Sequence, residues 1–194
     1  MRVHGDKVLK RRENVKELGH YSEAREILQE DFHNMCGYCG KDCKVMYEKF
    51  HIDHFVPKSL DSTRENDYYN LVFACSKCNL SKSNKWPTKD INKSHDDEKG
   101  FIDPASEEFD HHIERNAHGY VVGKTTLGKN MCKELHLDIR RTDIFWKMGK
   151  LMKQQERLEE LFEKGMLKDE EKDYYIRNNR LFKNYMNKAR IIGE

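Results

Sequence analysis

The sequence predicts an α+β fold. A small unit of two strands and a helix is stapled by a four-cysteine zinc site, with a helical arm before it and a helical hairpin at the C-terminal end. Three observations carry this prediction. Two Cys-x-x-Cys pairs, Cys36-Gly-Tyr-Cys39 and Cys75-Ser-Lys-Cys78, enclose the tetrad His51-Ile52-Asp53-His54. Short β-rich segments lie between those pairs, and apolar residues recur at three- and four-residue spacing near both ends of the chain. Finally, 36% of the 194 residues are charged and only 37% are hydrophobic, so the apolar core is modest and a metal clamp adds what a small core lacks.

Taken in order, residues 6–35 read as helical and charged. Tyr21, Ala24, Ile27, Leu28 and Phe32 share a face, and Ser22 is an N-cap candidate. This arm delivers the chain to the first cysteine pair. Four thiolates in two close pairs suit tetrahedral zinc and leave it no open position, so Cys36, Cys39, Cys75 and Cys78 are read as a structural site. Cys43, four residues after Cys39, either competes as a ligand or, the preferred reading, is a bystander, and Cys132 reads as a small core residue. Lys44 to Tyr47 is a candidate strand. His51 to Val56 is a second, stopped by Pro57, and Lys58 to Tyr68 is a loop. Asn70 to Cys75 is an apolar approach to the second pair, and a short helix runs from Asn79 to near Trp86-Pro87. After a polar linker from Asp90 to Gly100, Asn116-Ala-His-Gly119 marks a hairpin. Thr125 or Thr126 caps a helix toward Leu135. An apolar stripe from Asp143 through Ile144, Met148, Leu151, Leu158 and Phe162 stops near Gly165, and a last helix spans about 172–189. The chain divides into an arm (1–31), a metal-bearing core (32–95), a hairpin-and-helix extension (96–140) and a C-terminal helical hairpin (141–194).

Charge and hydropathy narrow the function. The net charge is only +2, unlike that of a wholly basic nucleic-acid binder. Locally, however, Lys77, Lys82, Lys85, Lys89 and Lys93 are interrupted by one acid, Asp90, and such an array attracts phosphate. No apolar run approaches the roughly 20 residues that span a bilayer, and no signal-peptide core opens the chain. With cysteines in metal-binding rather than disulfide patterns, a cytoplasmic, non-membrane protein is expected.

The residues inside the cysteine frame carry the chemistry. A neutral imidazole such as His54 can take a proton from water as it attacks phosphorus. Oxygen donors such as Asp53 and Asn79 suit a hard divalent cation. Lys82 lies one helical turn beyond Asn79, where it can meet a phosphate. His51, two residues before Asp53 on a strand, shares its face; it either touches substrate or is a surface histidine. His33, His111 and His112 read as surface groups. Singly, each has a bland alternative: a packed histidine, a strand-end acid, a capping asparagine, a solvated lysine.

Together they resemble a family. Asp53-His54 after a strand, Pro57, Asn70-Leu71 and Cys75-x-x-Cys78-Asn79-x-x-Lys82 look like the HNH endonucleases, and Cys36-x-x-Cys39 resembles their zinc-containing, four-cysteine bacterial branch. The resemblance is strongest over about residues 32–86; Phe101-Ile-Asp-Pro104 and Leu135-x-Leu137-Asp138 are similar to a common extension. It implies a ββα-metal core, His54 as general base, Asn70 anchoring the loop that carries it, and Lys82 at the phosphate. Asp53 and Asn79 would hold catalytic Mg²⁺ or Mn²⁺. Many members have histidine where this chain has Asn79, which favours an oxygen-liking metal. The implied reaction is hydrolysis of DNA, with little intrinsic sequence preference, to 5′-phosphate and 3′-hydroxyl ends. Short bacterial members of this build resemble phage-defence effectors that act beside an ATPase subunit. The C-terminal helices, rich in Tyr, Met and Phe, are either a surface for such a partner or for self-association, or they pack back on the core. Two other classes compete: a zinc-stabilised nucleic-acid-binding module without catalysis, and a protein-interaction module.

Overall fold

The structure, a computed structural model, describes residues 1–45 and 48–191. Strands β1 (His51–His54) and β2 (Leu71–Ala74) pair antiparallel, with Asp53 opposite Val72 and His54 opposite Leu71. β2 is buried along its whole length, and Phe73 stacks against Phe50 with ring centroids 5.0 Å apart. The chain then enters α2 (Ser76–Lys82) directly from Cys75. This helix begins three residues before the expected start. The backbone N–H of Ser76 donates to the Glu48 carboxylate at 3.3 Å, which supplies an N-terminal partner that no local capping residue announces. It ends at Ser83, whose left-handed φ of 45° turns the chain away. The expected loop 58–68 is present, tightened by a 3-10 turn at Ser62–Arg64 and followed by another at Tyr68–Asn70.

The arm differs from expectation. Helix forms only over the 3-10 turn Tyr21–Ala24 and α1 (Arg25–Asp31), while residues 6–20 run as an irregular strap. That stretch has no apolar stripe, and its arginines find distant partners. Arg11 donates to the Leu71 carbonyl at 3.0 Å and to Asp103 at 2.7 Å, and Arg12 reaches Asp31 at 2.8 Å. The cap is His20 rather than Ser22. Its ring accepts from the Ser22 N–H at 3.3 Å while Glu23 reaches back to the His20 N–H at 3.1 Å. Lys44 and Val45 of the proposed strand lie in a turn, and Met46 and Tyr47 fall outside the described residues.

Beyond the linker come α3 (Phe109–His112), β3 (Ile113–Arg115), β4 (Val121–Gly123) and α4 (Thr126–Glu134). The Asn116–Gly119 turn joins β3 to β4 as expected, and Thr125 caps α4 by accepting from Gly128 N–H at 3.1 Å. His111 and His112 end α3. The C-terminal hairpin consists of α5 (Thr142–Glu163) and α6 (Asp169–Ile191). Gly165, at φ 66°, closes α5: its N–H meets Phe162 O at 2.9 Å and the Met166 N–H meets Leu161 O at 2.8 Å. Ile144, Phe145, Met148 and Ala189 form a second small core with Val45, so the base of the hairpin sits on the segment after the first cysteine pair. Farther out the helices meet through polar pairs such as Gln155–Asn179 and Glu159–Tyr175, and Phe162, expected in the apolar stripe, is 67% exposed. Mixed helices, two small antiparallel sheets and the helical C-terminal segments make the fold α+β.

Candidate active site and metal centres

The cysteine frame closes as the spacing required. The sulfurs of Cys36, Cys39, Cys75 and Cys78 are all buried and lie within 4.8 Å of one another. Cys39 and Cys75 are 3.8 Å apart, which matches the edge of about 3.8 Å that tetrahedral zinc with 2.3 Å bonds to sulfur would give. Burial pushes the Cys36 thiol well up, and hydrogen bonding to Cys36 pushes Cys78 up, while the same neighbour holds Cys39 and Cys75 down. Four thiols competing this way in a dry pocket need a cation to ionise together, so the donor set fits a structural metal such as zinc. Cys43 lies outside the cluster, half-buried, and Cys132 is a buried core residue. Arg140 donates to Cys78 Sγ at 3.3 Å and approaches Cys75 Sγ at 4.0 Å. Burial opposes its charge, but the sulfurs outweigh burial and hold the guanidinium protonated. Such an outer partner offsets the negative charge of a four-thiolate centre.

The first pair is fixed to the sheet. Gly37 N–H donates to Phe73 O at 2.8 Å, and a Cβ at Gly37 would stand 2.8 Å from Phe32 and 2.9 Å from Val72 and Pro104. Only glycine allows the turn to lie this close to β2.

A cleft of about 270 Å³ opens beside β1 and α2, bordered by Asp53, His54 and Asn79 together with Tyr21, Lys58, Leu80 and Ser83. His54 Nε2 lies 2.9 Å from the Glu65 carbonyl. A neutral imidazole donates there and keeps Nδ1 as its proton acceptor. Asn70 is fully buried and staples the loop that follows His54. Its Oδ1 accepts from Val56 N–H at 2.8 Å, and its Nδ2 donates to Val56 O and Arg64 O, both at 3.1 Å. It therefore acts on the loop and borders no part of the cleft.

Asp53 is 5% exposed and receives two donors on Oδ2, the Tyr38 hydroxyl at 2.5 Å and Lys82 Nζ at 3.2 Å. Burial raises the Asp53 carboxyl above its usual range, with Lys82 and Tyr38 opposing. Burial likewise lowers Lys82, against the pull of Asp53. Both shifts come from burying the pair away from water; the carboxylate of Asp53 and the amide of Asn79, on the same cleft, are oxygen donors that fit a divalent cation. Burial, then the Asp53 charge, push the Tyr38 phenol well above its ordinary value, so it stays a donor.

Lys82 departs from the expected role. It is 0% exposed, and Nζ donates to the His54 carbonyl at 2.7 Å as well as pairing with Asp53. A side chain packed inward this way braces β1 from below and does not present its ammonium to a phosphate. Lys85 is also taken up, bonded to Glu134 O at 2.9 Å and to its carboxylate at 3.1 Å, so the lysine array is less basic than it reads. His51 is half-buried and does not border the cleft.

Residues 36–85 match the model of the HNH endonuclease family. The chain carries an HNH domain. No curated protein and no solved structure matches the chain. The matched segment holds all four clustered cysteines, in accord with the zinc-containing branch of HNH proteins. Three residues at the cleft or behind it escape a reading of the sequence. Tyr21 comes from the arm and sets its ring edge-on to His54 with centroids 5.0 Å apart. Tyr38 bonds Asp53, and Lys58 stands exposed at the rim, 3.0 Å from Glu65. Tyr21 carries the period of a helix face and Tyr38 fills an x of Cys-x-x-Cys, so neither has a separate signal. Among the described residues no helix is long and apolar enough to cross a membrane.

Proposed function

We propose that the protein is a metal-dependent endonuclease that hydrolyses DNA phosphodiester bonds. The observation that carries this reading is the meeting of His54, Asp53 and Asn79 on one cleft within the HNH segment. His54 is oriented by the Glu65 carbonyl and takes the proton of the attacking water. Asp53 and Asn79 hold Mg²⁺ or Mn²⁺, which when bound offsets charge on the phosphorane-like transition state and on the departing 3′ oxygen. Asn70 keeps the loop in place, and Lys58, exposed at the rim, takes the phosphate contact that Lys82 is too deep to make. The four cysteines hold structural zinc. Contacts of this kind position the backbone and carry little sequence information, so cleavage is of low specificity. Control then lies outside the core at 32–95, in a partner such as an ATPase of a phage-defence system or in a second copy, met through the C-terminal helices in the cytoplasm.

The test is plasmid DNA with Mg²⁺, Mn²⁺ or EDTA, for the wild type and His54→Ala. Metal-dependent nicking that falls by about 10²–10⁴-fold in the variant, with zinc content unchanged, is expected. Salt-sensitive DNA binding without cleavage under any metal would instead establish the binding module.

A further inference from the structure

The two metal centres are joined by one side chain. Tyr38 sits between two cysteines of the cluster, fully buried, and its hydroxyl donates to Oδ2 of Asp53 at 2.5 Å. Neither end of this link is loose. The turn that carries Tyr38 is bonded to β2 through Gly37 N–H and Phe73 O at 2.8 Å, and Gly37 is packed on Val72, the residue that pairs with Asp53 across the sheet. Asp53 is held from the other side by Lys82, which also grips the His54 carbonyl at 2.7 Å. The thiolate cluster, the tyrosine, the carboxylate, the lysine and the backbone of His54 therefore form one continuous buried chain of contacts.

We propose that Tyr38 is a positioning residue: held by the zinc centre, it fixes the carboxylate of Asp53 for the catalytic cation, so that the structural metal sets the affinity of the hydrolytic one. This rests on the reading of Asp53 as a cation ligand. An outer-shell donor to a ligating carboxylate limits its rotation and leaves one oxygen presented to the metal, and loss of such donors typically weakens metal binding about 10–100-fold. Removing only the hydroxyl leaves the ring, the neighbouring thiolates and the Lys82 ion pair in place.

The experiment is direct Mn²⁺ binding, followed by electron paramagnetic resonance without DNA, for wild type, Tyr38→Phe and Asp53→Asn, with zinc counted per chain. The proposal expects wild-type binding that disappears in Asp53→Asn and weakens about 10–100-fold in Tyr38→Phe at full zinc content. In cleavage assays the Tyr38→Phe defect should shrink as Mn²⁺ is raised. Unchanged Mn²⁺ affinity in Tyr38→Phe, with Asp53→Asn still defective, would overturn it. So would loss of zinc from Tyr38→Phe, because the tyrosine would then be serving the thiolate cluster itself. If the wild type binds no Mn²⁺, or Asp53→Asn binds it normally, the failure lies with the cation site of the proposed function instead.

Discussion

Single buried polar residues decide how this site is held. Asn70 makes three hydrogen bonds to the loop after His54 from a fully buried position. Asn70→Ala leaves those backbone groups without partners and should cost about 2–4 kcal/mol in urea unfolding, with activity lost as the loop drifts. His4 is a second case. Burial first, and Arg115 in addition, lower its ring to about 4 against the Cys36 carbonyl, which it meets at 3.2 Å. The unfolded chain takes up this proton near 6.5 and the folded one does not. The contribution of His4 is therefore complete above about 6.5 and is lost as pH falls toward 4. A shift of this size corresponds to roughly 3 kcal/mol at the acid end of the window. His4→Gln should flatten that part of the stability profile, measured for both chains in excess zinc.

The elements around the site depend on the four-cysteine cluster and on close backbone approach. Gly37→Ala forces a methyl into Phe32, Val72 and Pro104 and should cost about 1–3 kcal/mol. Stripping zinc with a strong chelator should melt the ββα unit and raise the count of reactive thiols by the four of the cluster, read by thiol titration beside far-UV circular dichroism. At this scale the sequence was most informative where a residue type is bound to a spacing. The cysteine pairs, the turn at Asn116–Gly119, the Thr125 cap and the Gly165 stop all appear where the pattern put them. It failed where distant partners decide. Residues 6–20 are charged enough to read as helix, yet Arg11 and Arg12 are committed to Leu71, Asp103 and Asp31. Spacing alone placed Lys82 one turn from Asn79 and could not tell that its side chain enters the interior.

Across the whole molecule, one cation gathers the parts. Arg115 is 1% exposed and donates to Val3 O at 3.1 Å, Gly119 O at 2.5 Å, Thr142 O at 3.2 Å and Cys39 O at 2.7 Å, with Trp146 stacked 4.4 Å away. Through it the arm, the cysteine turn, the β3–β4 hairpin and the start of α5 share one anchor. A compact ammonium cannot span four carbonyls in a plane. Arg115→Lys should therefore destabilise by about 3 kcal/mol or more despite keeping the charge, seen as a lower urea midpoint.

The nested order of the cysteines also has a consequence in time. Thirty-six positions separate Cys39 from Cys75, and β1, the loop and Asn70 all lie in the interval. During synthesis the stretch bearing His54 emerges well before the second cysteine pair, which must join Cys36 and Cys39 in one cluster. Until Cys78 has left the ribosome and the ion is captured, the ends of that long loop are unjoined and closing it carries its full entropy cost. A chain starved of metal, or interrupted before Cys78, therefore cannot fix the loop between the cysteine pairs, and the cleft beside His54 is not held in shape.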